Sequence, residues 1–210
     1  SPQSSYLSFV TSDDSIKAKK PSHKLLVYDV KKKAMLAELD KSAVKLENSR
    51  ISPDASLRFS EDETRLFFGV TKEYQDYAYE NDSTLLDEDR VSLDIWGWQE
   101  DEIQPMQLKN KSQEEKKSYL AVLSLKDLRV VQLGTPEVDE VQLENKITKS
   151  IALASTDAPY RRNYSWDIQL GRDVYLLDIT TGAKELIEKN ASGSARLSPE
   201  GNYAYWYDAR

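Results

Sequence analysis

Residues 60–69 read SEDETRLFFG, a serine and three acids followed at once by an aromatic and aliphatic strand. The same plan recurs as SPQSSYLSFV at 1–10 and SPEGNYAYWY at 198–207, with a weaker copy, NKITKSIALA, at 145–154. Fixed self-similarity is read first because it decides the architecture. A second pattern lies between the copies: a strand ending in an acidic or hydroxyl residue, a short turn, and another strand. KLLVYDVKKKAMLAEL (24–39), YLAVLSLKDLRVVQL (119–133) and DVYLLDITTGAKELI (173–187) share it. In the last of these, Thr181-Gly182 supplies the positive-φ residue a tight hairpin needs.

The two patterns alternate strictly, beginning and ending with the first. Each cycle holds about four short strands, which is one blade of a β-propeller rather than an alternating α/β unit. The expected fold is therefore all-β, a partial propeller of about three four-stranded antiparallel blades. The blade-like repeats fall at approximately 1–56, 57–144 and 145–194, with the start of another at 195–210. Spacings of about 59, 85 and 53 residues exceed the roughly 40–50 of compact blades. The excess is assigned to insertions. A β-sandwich competes, since it also explains many short strands, but it does not explain the ordered recurrence of two hairpin signatures. Because closed propellers have about four to eight blades, three blades and a beginning are read as part of a longer chain. The opening Ser1-Pro2, with no Met or signal peptide, is read the same way.

One stretch reads as a helix, Met106 to Lys117, and its polar character all round predicts an exposed one. Glu73 to Arg90 is acidic and without period, and reads as a long inserted loop. VSLDIWGW (91–98) and NYAYWYD (202–208) read as strands, the former placing Trp96 and Trp98 on one face.

A net charge of −7 argues against a nucleic-acid surface, which needs clustered Lys and Arg. The basic clusters at Lys17–Lys24 and Lys31–Lys33 read as solvated edges. No apolar run approaches the length of a membrane span. With no cysteine, disulfides, thiolate catalysis and Cys-ligated metals are excluded. The acidic clusters at 61–63, 87–89 and 100–102 lack the spacing of a calcium loop, so neither a metal nor any other cofactor is expected.

LRFSEDETRLFFGV (57–70), LDIWGWQEDEIQPMQLKN (93–110), YRRNYSWD (160–167) with RDVYLLDITTGAKELI (172–187), and LSPEGNYAYWYD (197–208) together resemble the propeller domain of the prolyl oligopeptidase family of serine peptidases, particularly large Bacteroidetes members. The resemblance covers well over half of residues 57–210; residues 1–56 are carried by periodicity alone. It implies a dipeptidyl peptidase-like parent, periplasmic or secreted. Its α/β-hydrolase domain would carry the Ser-Asp-His triad, while the propeller caps the active site and filters peptide substrates. No G-x-S-x-G nucleophile elbow occurs in the chain, so this piece is expected to have no catalytic residue and no activity of its own. The alternative is a TolB-like propeller that binds protein or glycan partners with no hydrolase attached.

His23 is the single imidazole. As a general base it would need a nucleophile; none is near it in sequence, and it reads as a surface residue at the start of a strand. Glu114-Glu115 invites comparison with the paired glutamates that hold substrate amino termini in dipeptidyl peptidases, but KSQEEKKS does not match, and alternating charge on an exposed helix suffices. Trp96 and Trp206 are expected to pack between blades. Tyr160, Arg161, Arg162, Tyr164 and Trp166, read as a loop after a proline, and Trp98 are the candidate contacts for a peptide or partner, because Tyr, Trp and Arg dominate recognition hot spots. Either arginine could grip a carboxylate through two parallel bonds. Blade faces left uncovered by an open propeller are expected to drive self-association.

Overall fold

The structure is a computed structural model, and it describes residues 1–15, 21–73, 96–165 and 171–207. Its strands form four antiparallel sheets taken in chain order. Sheet 1 holds β1 (Tyr6–Thr11), β2 (Lys24–Asp29) and β3 (Ala34–Leu39). Sheet 2 holds β4 (Ser49–Ile51), β5 (Arg58–Phe59), β6 (Arg65–Lys72), β7 (Tyr119–Ser124) and β8 (Val130–Gln132). Here β4 and β5 lie end to end along the same edge of β6, pairing with Val70–Lys72 and Leu66–Phe67, so the sheet is four strands wide. Sheet 3 holds β9 (Glu140–Gln142), β10 (Ile151–Thr156), β11 (Arg172–Asp178) and β12 (Lys184–Ala191). Sheet 4 is the hairpin β13 (Arg196–Leu197) and β14 (Ala204–Tyr205). Of the strand expected over 202–208, Ala204 and Tyr205 hold the ladder pairs among the described residues, and Asp208 lies outside them.

Two turns build all four sheets. In the first, Ser60 N–H bonds Arg65 O at 3.0 Å, Glu63 N–H bonds Ser60 O at 3.0 Å, and the Ser60 hydroxyl accepts from Arg65 N at 3.0 Å. Ser198, Gly201 and Tyr203 repeat these bonds at 2.8, 2.8 and 3.1 Å. Ser1, Ser4 and Tyr6 repeat them again at 3.0, 3.1 and 2.9 Å. The fourth residue of each turn has positive φ: Ser4 58°, Glu63 53°, Ile147 56° and Gly201 66°. Ile147 marks the weak copy, where Glu144 replaces the serine and accepts from Thr148 N at 3.2 Å. In the second turn the positive-φ residues are Lys33, Leu128 and Gly182. They follow Asp29, Ser124 and Asp178, whose side chains close the turn: Asp29 accepts from Lys32 N at 2.9 Å and Asp178 from Thr180 N at 2.7 Å. Along the chain the two turns alternate in the order read from the sequence.

All seven turns lie at one end of the sheets, because β6 and β7 pair Arg65 with Ser124 and β10 and β11 pair Ile151 with Asp178. Neighbouring first turns touch. Gln3 N–H donates to Glu63 at 2.7 Å, Glu61 N–H to Lys146 O at 3.0 Å, and Gly201 lies against Glu144 and Lys149.

Burial follows the strand period of two, on both faces. Leu66, Phe68 and Val70 of β6 join Leu25, Val27, Ala37 and Leu39 of sheet 1 in one core cluster. Phe67, between them in sequence, joins Ile147, Ala152, Ala154 and Leu177 of sheet 3 in the next. Leu153 and Val174 on the far side of sheet 3 meet Leu197, Ala204 and Trp206 of sheet 4 in the third. Successive antiparallel sheets, each laid on its predecessor, make a partial β-propeller. In a two-sheet sandwich, sheets 2 and 3 would each keep one face in water.

The helix α1 (Gln104–Lys116) starts two residues before the expected boundary, with a proline in its first turn and no buried residue. The acidic loop at 74–90, including the cluster at 87–89, lies outside the described residues, as do Lys17, Lys19, Lys20 and the 91–95 part of the strand expected at 91–98. Trp96 and Trp98 are not in a strand, and Trp96 is 63% exposed rather than packed between blades. Trp206, by contrast, packs as expected. Among the described residues no helix is long and apolar enough to cross a membrane.

Candidate functional site

The end opposite the turns carries the long connections, and there the candidate residues meet. Residues expected as a loop after Pro159 form a 3-10 helix, Ala158–Ser165, between β10 and β11. A cleft of about 550 Å³ opens between it, the segment 99–102 and α1. Glu100, Asp101, Glu102, Glu114 and Asp157 line it with Lys117 and Arg161, so carboxylates outnumber cations.

A chain of ion pairs forms its floor. Asp139, just before β9, accepts from Lys117 Nζ at 2.9 Å and from Arg161 at 3.2 Å. Arg161 Nε also donates to Asp157 at 2.8 Å, one helical turn earlier. Burial alone would raise the Asp139 pKa, but the Lys117 hydrogen bond and the charges of Lys117 and Arg161 outweigh it and hold the carboxyl below its ordinary 3.8. Burial works against Lys117 in the same way and loses to Asp139, leaving that ammonium harder to deprotonate.

Tyr160 turns away from the cleft. Its hydroxyl donates to Asp173 at 2.6 Å, and the same carboxylate oxygen accepts from Asn190 N at 3.1 Å. Burial and the Asp173 charge push the phenol up to about 12. Arg162 Nε bonds Asp101 at 3.4 Å and its second nitrogen bonds Gln99 O, which straps the segment carrying Trp98 to the 3-10 helix. Trp98 itself is 87% exposed. The structure thus brings Tyr160, Arg161, Arg162 and Trp98 to one end of the molecule, while Trp166 lies outside the described residues. Carboxylates or a backbone carbonyl already take up donors of both arginines, so an incoming carboxylate would compete with Asp139, Asp157 and Asp101. The rim offers negative charge, which suits a cationic group.

Sequence reasoning missed Lys117, Asp139 and Asp157. The pairing of Asp157 with Arg161 four residues on is a readable signal only once the segment is known to be helical. Lys117 and Asp139 meet solely through the sheet topology. His23 is half-buried rather than a free surface residue. Its Nδ1 is buried with no hydrogen-bond partner among the described residues, and burial, then the Arg50 charge, lowers its pKa. Asp54 and Asp14 oppose that shift. Among the described residues no cluster of His, Asp and Glu is placed to hold a metal ion.

No family description and no curated protein matches the sequence. Solved structures that are similar in part include three from different proteins. The β-propeller domain of the Trilobed protease from Pyrococcus furiosus superposes with a TM-score of 0.43 at 12% identity, covering 96% of this chain and 49% of that one. Acylaminoacyl peptidase from Pyrococcus horikoshii gives 0.38 at 11%, covering 91% and 24%. TolB from Acinetobacter baumannii gives 0.32 at 10%, covering 97% and 46%. The chain spans about half or less of the length of each. None bears on a Bacteroidetes origin, and the fold assignment rests on the strand order, register and turns above.

Proposed function

We infer that the chain is propeller sequence of a prolyl oligopeptidase-type serine peptidase, a non-catalytic cap that filters peptides on their way to a hydrolase domain of the same parent protein. The observation that carries this reading is the set of family-like stretches at 57–70, 93–110, 160–167 with 172–187, and 197–208. Where described, they fall on successive strands, turns and connections of stacked sheets. The triad belongs to the parent's hydrolase domain, since the 210 residues contain no G-x-S-x-G and one histidine. The family reading places the parent in the periplasm or outside the cell.

Contact with peptide or with the hydrolase domain is assigned to the long-connection end. Trp98 supplies exposed aromatic area there, and Tyr164 and Trp166 belong to the same group on sequence grounds. Arg161 and Arg162 shape the rim by holding 99–102 and Asp139 in place, and Tyr160 anchors the 3-10 helix beneath it.

The test has two parts. The purified chain, offered fluorogenic proline-containing peptides and a fluorophosphonate label, is expected to show neither turnover nor labelling; hydrolysis blocked by a serine-directed inhibitor would overturn the non-catalytic assignment. Reading the gene in frame beyond codon 210 is expected to reveal a domain with a G-x-S-x-G elbow. A gene without one would overturn the peptidase reading and favour a binding propeller of TolB-like type.

A further inference from the structure

Apolar side chains exposed singly are ordinary, but a group of them marks a contact surface. Trp96, Trp98, Ile103, Met106 and Leu108 follow closely in sequence and all are exposed, Trp98 most of all. The backbone that carries Trp98 is nonetheless held in place. Glu100 N–H bonds Gly97 O at 3.3 Å, and Arg162 bonds Asp101 and Gln99 O. From α1, Gln107 donates to the Glu100 carboxylate and, at 2.8 Å, to Glu102 O, while Asn110 donates to the Glu102 carboxylate at 3.1 Å. The helix itself buries no residue. Its bonds go to fixing 99–102 rather than to covering apolar area. Trp98 therefore stands on a fixed support, which spares a partner much of the entropy cost of ordering it.

The charges beside Trp98 select the kind of partner. Gln107 and Asn110 are neutral, so they orient Glu100 and Glu102 without cancelling their charge, and among the described residues no cation pairs with either carboxylate. The two cations of the cleft are already held by Asp139 and Asp157. Glu100 and Glu102 line that cleft, whose volume of about 550 Å³ has room for a long basic side chain. An aromatic face next to uncompensated carboxylates is complementary to an ammonium or guanidinium group. We propose that 96–102 is a docking site for a basic peptide segment. One of its lysine or arginine side chains enters the cleft toward Glu100 and Glu102, and an adjoining apolar residue lies on Trp98. The proposal builds on the peptide contact assigned to this end above and gives its chemistry. It is read by binding to this chain, so a gene without a hydrolase domain would leave it intact, and its own failure would leave the peptidase reading intact.

Fluorescence anisotropy tests it, with a short peptide of alternating arginine and leucine, fluorescein-labelled at its amino terminus and amidated at its carboxyl terminus. Both termini are then blocked, and only side chains can supply the cation. The wild-type chain is expected to bind this peptide saturably and not to bind the same peptide with glutamate in place of arginine. Trp98→Ala is expected to weaken binding by about tenfold or more. Its circular dichroism and urea midpoint should stay unchanged, since this side chain is almost wholly exposed. Glu100→Gln combined with Glu102→Gln keeps an acceptor oxygen for Gln107 and Asn110 while removing the charge. That double variant is expected to bind about threefold to tenfold more weakly at low salt and to lose less affinity than wild type as NaCl is added. Absence of saturable binding by the arginine peptide would overturn the proposal. So would equal affinity for the glutamate peptide, unchanged affinity in Trp98→Ala, or a salt dependence that the double variant leaves intact, which would place the cation elsewhere on this acidic chain.

Discussion

Gly182 and Leu128 occupy the same place in two copies of the second turn, so opposite substitutions there should have unequal consequences. In Gly182→Ala, left-handed backbone at φ 78° costs an L-residue about 1–2 kcal/mol, and the stiffer unfolded chain returns about 0.4–1 kcal/mol. The added Cβ would also stand 2.9 Å from Gln132 O and 3.1 Å from Val131 Cγ1. The first is a backbone oxygen that cannot rotate away, and crowding of this kind adds about 1 kcal/mol or more. The net expectation is a loss of about 2 kcal/mol. Leu128→Gly runs the other way. It relieves about 1–2 kcal/mol of backbone strain at φ 54°. Against that stand about 0.4–1 kcal/mol of glycine entropy and about 1 kcal/mol of apolar contact from a side chain 43% exposed. The sum is close to zero. Urea denaturation at pH 7 reads both: Gly182→Ala should lower the midpoint by about 1 M with m unchanged, and Leu128→Gly should leave it nearly in place. Equal losses in the two variants, or none in Gly182→Ala, would refute the equivalence of the turns.

Phe68→Ala, at a side chain 1% exposed, should cost about 3–5 kcal/mol, whereas Phe9→Ala, 41% exposed at the equivalent place in sheet 1, should cost only about 1–1.5 kcal/mol; thermal melts compare them. Asp139→Asn should cost about 1.5–3 kcal/mol at pH 7 by leaving Lys117 and Arg161 without their shared carboxylate, and a midpoint unchanged in urea would contradict that floor for the cleft. His23, lowered by burial and Arg50, binds fewer protons folded than unfolded as pH falls through its ordinary 6.5. Stability should therefore be full above that value and decline below it toward the depressed folded pKa, and His23→Asn should flatten that part of the profile.

The repeat was legible because the first turn announces itself through Ser60, Ser198 and their acids, and the second through Asp29, Ser124 and Asp178. Of the positive-φ positions the sequence reading named one, Gly182, and glycine also stands at Gly201. Lys33, Leu128 and Ile147 adopt the same backbone against their own preference, held by the sheets on either side. The terminal strand was read too long because alternating tyrosines look like a strand whether or not a ladder continues along them; the ladder holds Ala204 and Tyr205, while Tyr203 bonds Ser198 within the turn. The cleft was half legible. Arg161 and Arg162 stood out by type, but Asp139 and Lys117 were ordinary charges until β7 and β9 placed them side by side.

Phe67 and Phe68, neighbours in sequence, test the stacked sheets most directly. A methyl-labelled NOESY spectrum should connect the Phe68 ring to Leu25 and Val27 of sheet 1, and the Phe67 ring to Ile147 and Leu177 of sheet 3. Strong contacts from one ring and a solvent-exposed second ring would contradict a sheet buried on both faces, and with it the propeller.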